Sequence, residues 1–333
     1  MLTFDQIMTD LKNKIYKPIY FLMGAESFYI DQITDYISNN VLAESEKAFN
    51  QTVVYGRDIA VKDIDNMARR YPMMSSHQVV IVKEAQTVKR IEDLVYYAGN
   101  PLKSTILVIN YKYKNLAKNK KLYKEINKNG IIFESKKLYD NQVPAWINKY
   151  LNSKSFTIDP VASALLNDYL GTDLSKIVNE LDKLIISLPE NSKINTKHIE
   201  ENIGISKDYN NFELQNAISQ KDILKANRII NHFGRNQKEN PIILTINSLY
   251  FYFKKILIYH FLKDKTNRNV ASVLQVNPYF VKDYQSAAKR YNPKKVVDII
   301  AYLREYDLKS KGVENVSASP EDLLKELIFK IIH

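Results

Sequence analysis

A chain of 333 residues, 45% hydrophobic and 26% charged, has apolar content for two or three packed domains and too much of it for a disordered polymer. It contains no cysteine, which excludes disulfides, zinc ribbons, iron–sulfur clusters and thiol nucleophiles together, and its five histidines show no metal-ligand spacing. The net charge of +11 suits a polyanionic partner, although a composition rich in Lys, Asn, Ile and Tyr gives the same sign without any binding role.

The opening Met1-Leu-Thr-Phe-Asp-Gln has neither the basic nor the apolar region of a signal peptide, so a cytoplasmic chain without membrane contact is expected. An apolar run, Ile19–Met23, then meets Gly24, and Ile30, Ile33, Ile37 and Val41 follow at helical spacing. That is the strand–loop–helix frame of a phosphate loop, G-x-x-x-x-G-K-[ST]. In this frame Tyr29 takes the second glycine, Ile30 the lysine and Asp31 the hydroxyl residue. Tyr29 blocks close backbone approach, Ile30 supplies no cation, and Asp31 puts negative charge where phosphate must bind. The segment reads either as a nucleotide-binding architecture that has lost its nucleotide or as an ordinary α/β turn.

Thr52–Tyr55 is the next strand candidate. Pro72-Met-Met-Ser-Ser-His-Gln78 follows, where two adjacent methionines cannot both point into one face, so at least one is expected at the surface. The alternative is a loop tucked under its own domain. Gln78–Val82 reads as a buried strand; it ends in Lys83-Glu84, where a nucleotide hydrolase of this layout would carry Asp-Glu to hold magnesium and activate water. A lysine there repels the metal, so no cofactor is expected. Thr105–Asn110 is another buried strand, and with no phosphate to sense, Asn110 is read as structural. The basic stretch Lys112 to Lys124 places Leu116, Leu122 and Tyr123 as the inner face of a helix. Lys118, Lys120 and Lys121 are then its solvated side, or contacts to nucleic acid. Ile131–Phe133 completes five strands separated by helical stretches, the pattern of a parallel α/β sheet.

After Leu138 the strand signal disappears. Val143, Trp146, Ile147 and Tyr150 mark one helix; Val161 to Leu170 forms the next, ending at Gly171 as C-cap. Asp173 can cap the following helix, and Thr196 is read as the N-cap of a short one over Lys197–Asn202. Helices are expected at 212–219, 221–234, 241–263, 269–274, 278–290, 293–309 and 320–332. The window Pro241–Leu262 is the most apolar, but Lys254, Lys255 and His260 within it argue against a membrane span. Lys309 and Lys311, with Gly312 at a helix end, form a second candidate for anion contact. No serine–histidine–acid set, paired carboxylates or dinucleotide fingerprint stands out, so catalysis has no visible seat.

Several segments, in order, resemble the delta subunit family of the bacterial DNA polymerase III clamp loader. They are Pro18-Ile-Tyr-Phe-Leu-Met-Gly-Ala-Glu26, Met74-Ser-Ser-His-Gln-Val-Val-Ile-Val-Lys83, Lys121-Leu-Tyr-Lys124 and Trp146-Ile. Gly171-Thr-Asp-Leu-Ser-Lys-Ile-Val-Asn-Glu-Leu-Asp-Lys-Leu184 and Asn211-Phe-Glu-Leu-Gln-Asn-Ala-Ile218 complete the set. The resemblance implies an AAA+-like α/β domain over 1–140, a helical lid over 141–208 and a helical collar over 209–333. It implies no working ATP site and a part in DNA replication as a polymerase holoenzyme component without catalysis of its own. The implied partners are the sliding clamp, clamp-loader ATPase subunits and delta-prime in a hetero-pentamer, and primed DNA. The family's clamp contact, a pair of apolar residues that is more often Leu-Phe, falls on Met73 and Met74. Two other readings compete: an atypical phosphoryl-transfer enzyme, which must bind ATP, and a stand-alone basic DNA-binding helical protein, which must bind DNA alone.

Overall fold

A computed structural model describes residues 2–206, 208–315 and 317–333. The chain divides into two compact units. The first runs to Leu138 and includes Asp173–Ser175; the second comprises Tyr139–Thr172 and the chain from Lys176 onward.

The first unit contains α1 (Phe4–Lys12), β1 (Ile19–Gly24), α2 (Ser27–Asn40), α3 (Glu44–Asn50), β2 (Gln51–Tyr55) and α4 (Val61–Ala68). Then come β3 (Gln78–Lys83), α5 (Val95–Gly99), β4 (Thr105–Lys112), α6 (Lys121–Asn129) and β5 (Ile131–Ser135). The five strands form one parallel sheet in the order β2-β3-β4-β1-β5. Every residue of β1 is buried, as a central strand covered on both faces requires. Alternation along the strands splits the core in two. Ile19, Phe21, Val80, Val82, Leu107 and Ile109 face one helical layer with Ile64, Leu122 and Ile126. Tyr20, Leu22, Val79, Ile81, Ile106 and Val108 face the other with Ile7, Leu11, Ile30, Ile33 and Ile37. This three-layer arrangement follows from strands that are apolar at every position, so neither face of the sheet can stay in water.

The second unit holds α7 (Val143–Asn152), β6 (Thr157–Ile158), α8 (Pro160–Leu170), β7 (Lys193–Ile194) and α10 (Thr196–Ile203), with α9 (Leu174–Ser187) running on from the inserted residues. The rest is helical: α11 (Asn211–Gln220), α12 (Ile223–Arg235), α13 (Ile242–His260), α14 (Asn267–Leu274), α15 (Val281–Arg290), α16 (Pro293–Ser310) and α17 (Pro320–Ile332). Their inner faces share one core that includes Ile229, Phe233, Leu249, Phe253, Tyr291, Ile299, Leu303, Leu327 and Ile331. Tyr291 is buried completely; its hydroxyl donates to the Ile218 carbonyl at 2.8 Å, tying the start of α16 to the end of α11. Among the described residues one helix, α13, is long and apolar enough to cross a membrane. Its Ile246, Leu249, Phe253 and Ile256 belong to this core.

Four expectations need correction. Strand structure does recur after Leu138, since β6 and β7 pair in parallel, but two residues each give no periodic signal. The cap of α10 is Asn195, not Thr196; the Asn195 carboxamide accepts from the His198 N–H at 3.1 Å. Helix α12 begins at Ile223, because Lys221 takes a left-handed conformation and Asp222 is the N-cap. The basic stretch is not one helix: β4 continues to Lys112, α6 starts at Lys121, and Leu116 packs from the intervening loop. Gly171 does end α8, with φ 67.

Candidate functional site

All five strands of the sheet are parallel, so their ends form two distinct edges. The carboxyl edge carries Gly24, Lys83 and Lys112; the amino edge carries the segments entering β2, β3 and β4. Strand β3 separates them by about 20 Å.

At the carboxyl edge the phosphate-loop frame is closed. Helix α2 begins at Ser27, three residues after Gly24, so Phe28 and Tyr29 lie in its first turn and no extended loop remains. A phosphate loop works by aiming free backbone N–H groups at the anion. Here two are engaged: Gly24 N–H donates to the Lys114 carbonyl at 3.2 Å and Glu26 N–H to the Ser135 carbonyl at 3.3 Å. Phe28 N–H donates to the Glu26 carboxylate at 2.9 Å, which places an acidic group at the helix N-terminus, the position an anion would take. Glu26 is nearly fully buried, and that burial pushes its carboxyl above the ordinary 4.5.

Gly24 is a glycine for a reason of packing. Its φ is 126°, and a Cβ there would lie 2.0 Å from the Ser135 carbonyl oxygen. Ile30 is completely buried in the core, and the Tyr29 ring packs on Phe4 and Phe28 at centroid distances of 4.7 and 5.4 Å. Asp31 is ion-paired with Lys112 at 2.6 Å, and Lys112 is the cross-strand partner of Gly24. A protein cation therefore occupies the neighbourhood of the frame, a pairing across 81 positions that leaves no trace in the local sequence. Glu84, just past β3, adopts a left-handed conformation with φ 52, and its carbonyl accepts from Thr87. Asn110 is buried with its Oδ1 2.9 Å from the Thr34 hydroxyl, linking β4 to α2.

At the amino edge, the loop between α4 and β3 presents both methionines to solvent. Met73 is 62% exposed and Met74 fully so, while Tyr71 in the same loop is also exposed. The tucked-under alternative is thereby removed. Met74 has φ 53, a left-handed conformation uncommon for a residue with a side chain. Two buried amides hold the loop. The Gln78 Nε2 lies within hydrogen-bond reach of the carbonyls of Met67, Ala68 and Arg70 and 2.7 Å from the Thr105 hydroxyl. At the middle of the loop, the Asn50 side chain accepts from Met73 N–H at 2.7 Å and donates to the Met73 carbonyl at 2.9 Å. Sequence reasoning missed Asn50 and Gln78, because bonds across 23 and 8 to 27 residues leave no local pattern.

The candidate basic contacts are scattered. Lys120 pairs with Glu92 at 3.1 Å, Lys309 with Glu305 at 2.6 Å and Lys311 with Asp307 at 2.7 Å; Lys118 and Lys121 are exposed. The two stretches lie in different units.

Known proteins resemble the chain along its whole length. The family model described as DNA polymerase III, delta subunit, matches residues 20–136, and a second, described as the C-terminal domain of the DNA polymerase III delta subunit, matches residues 208–329. The curated DNA polymerase III delta protein of Bacillus subtilis (strain 168) is 24% identical over 323 residues, covering 93% of this chain and 92% of its own. The solved structure of the Bacillus subtilis DNA clamp loader delta protein (YqeN) is similar at a TM-score of 0.56 and 21% identity, over 99% of each chain. The likeness to that structure is one of fold: a parallel α/β part followed by helical parts.

Proposed function

The chain belongs to the DNA polymerase III delta subunit family, and on that premise we propose that it is the clamp-loader arm that binds and helps to open the sliding clamp. The observation that carries this reading is the exposed Met73–Met74 pair on a loop held at its base and its middle. Met side chains adapt to irregular apolar pockets. Burying each would contribute about 1.5–3 kcal/mol, enough for the pair to dominate an interface. Opening follows from differential affinity: a wedge that fits the relaxed clamp edge better than the closed ring shifts the ring toward opening by that difference and no more.

Met73 and Met74 are the clamp contact in this reading. The carboxyl edge binds no nucleotide in this reading, since the N–H groups of Gly24, Glu26 and Phe28 and the side chains of Asp31 and Lys112 are already paired. ATPase subunits and delta-prime of a hetero-pentamer would supply the energy and expose or hide the wedge. Residues 1–140 serve as the AAA+-like clamp-binding part, 141–208 as a lid and 209–333 as the collar. Exposed Leu224, Leu244 and Phe251 offer the collar an apolar contact surface. Of the five candidate lysines, exposed Lys118 and Lys121 would face primed DNA, and the assembly would work in the cytoplasm.

The test is binding of the full chain to the sliding clamp of its own organism, wild type against the Met73→Ala/Met74→Ala double variant. The double variant is expected to bind tens-fold or more weakly, somewhat below the full burial value because alanine keeps part of the contact. Equal affinity would discard the wedge, and no binding by the wild type would discard the function.

A further inference from the structure

We infer that Asn50 is the positioning residue of the Met73–Met74 wedge, an inference that rests on the proposed clamp contact. The side chain of Asn50 is nearly fully buried and forms a two-bond ring with the backbone of Met73, accepting from its N–H at 2.7 Å and donating to its carbonyl at 2.9 Å. A carboxamide is one of the few side chains that can satisfy both a donor and an acceptor of one residue in this way. Among the described residues it is the only side chain outside the loop that hydrogen-bonds Met73. Toward its far end, Ser76 Oγ lies 2.9 Å from His77 Nδ1, and the His77 ring meets Tyr16 edge-on at 5.4 Å.

The position of Asn50 in the fold makes the tether stiff. It is the last residue of α3 and directly precedes β2, whose Gln51 is in register with Val79 of β3. The loop is therefore gripped at its middle by the residue entering β2, and at its base by Gln78, the first residue of β3. Only Tyr71 and Pro72 lie between Arg70, held by Gln78, and Met73, held by Asn50. Met74 follows immediately in its left-handed conformation, which the fixed Met73 peptide helps to impose. Exposed apolar side chains with nothing to pack on would otherwise sample many loop conformations, and only the competent fraction binds.

Losing two ordinary hydrogen bonds reduces that fraction about tenfold. Clamp affinity would be measured for the full chain as wild type, Asn50→Ala, Asn50→Asp, Met73→Ala/Met74→Ala, and the triple variant. Hydrogen exchange of residues 69–77 without clamp gives the second readout. Asn50→Ala is expected to weaken binding about tenfold, to speed exchange at Met73, and to change nothing further once both methionines are alanine. Asn50→Asp keeps the acceptor for Met73 N–H but sets a buried carboxylate oxygen against the Met73 and Glu46 carbonyls, so its loss is expected to equal or exceed that of Asn50→Ala. A stability defect alone would weaken both backgrounds equally and would overturn the positioning role. So would wild-type affinity for Asn50→Ala while the double variant is weak, which leaves the clamp contact standing. If the double variant itself binds like wild type, the clamp contact fails instead, and an unchanged Met73 exchange rate in Asn50→Ala then overturns the positioning role independently.

Discussion

Replacing Gly24 by alanine separates the two roles a glycine can play at the end of β1. In a phosphate loop the substitution would disturb a ligand; here the obstacle is β5. The added Cβ would stand 2.0 Å from the Ser135 carbonyl oxygen and 2.8 Å from its carbon, where atoms normally approach to about 3.5 Å. At φ 126° alanine is also in backbone territory that costs about 1–3 kcal/mol. Relief requires β5 to move by more than an ångström from β1, breaking the Glu26 N–H bond to Ser135 and the Gly24–Ser135 end of the ladder. Each such bond is worth about 1 kcal/mol, so the total is about 3–5 kcal/mol. Because the chain has two units, a single melting temperature would blur this loss. Hydrogen exchange of β1 and β5 amides reads it locally, and protection should fall by roughly 10²- to 10⁴-fold. Protection reduced by less than about fivefold would refute the packing account. A parallel melt of the wild type in about 1 mM Mg–ATP should show no shift; a rise would reveal a nucleotide site that the paired N–H groups should prevent.

Two further outcomes are expected. Glu26→Gln keeps an acceptor for Phe28 N–H while removing a buried charge. Since burial raises the Glu26 carboxyl above 4.5, the native state binds more protons than the unfolded state between those values, and its contribution to stability falls as pH rises through that window. The variant should therefore be as stable as wild type or more so by up to about 1 kcal/mol at neutral pH, with the difference gone below about pH 4, as pH-dependent melts would record. A clear loss at neutral pH would mean that attraction between the carboxylate and the helix N-terminus outweighs its desolvation. In the helical unit, Tyr291→Phe deletes the hydroxyl that meets the Ile218 carbonyl, but that carbonyl also accepts from Lys221 N–H at 2.9 Å. The cost in denaturant unfolding should thus stay near 1 kcal/mol; a loss of 3 kcal/mol or more would show that the second bond does not compensate.

The central strands were legible because a strand buried on both faces must be apolar at every position, and Val79–Val82 and Ile106–Ile109 are. Helix ends were less so: Asn195 and Thr196 are both good caps, and only the bond to His198 decides between them. Leu116 shares helical spacing with Tyr123 by coincidence, since its N–H is directed at Met23 Sδ from a loop. At the candidate site the exposed methionines announce themselves as misplaced apolar residues ahead of a strand. The groups that hold them do not, because Asn50 and Gln78 look like any polar residue until the register of β2 and β3 brings them to the loop. Gly24 was visible, yet its requirement belongs to a strand more than a hundred residues later, a constraint with no local trace.

The loop's two anchors have a mechanical consequence. Both sit at the amino ends of adjacent parallel strands, Asn50 just before β2 and Gln78 at the head of β3, and β3 is bonded on its other side to β4. A pull on the methionines along the strand axes draws β2 and β3 the same way, so it loads the five paired positions between β3 and β4 in shear, all at once. Peeling would break such bonds one by one under a small force; shear must break them together. A loop anchored to two strand ends therefore resists such a pull better than one anchored to a single end.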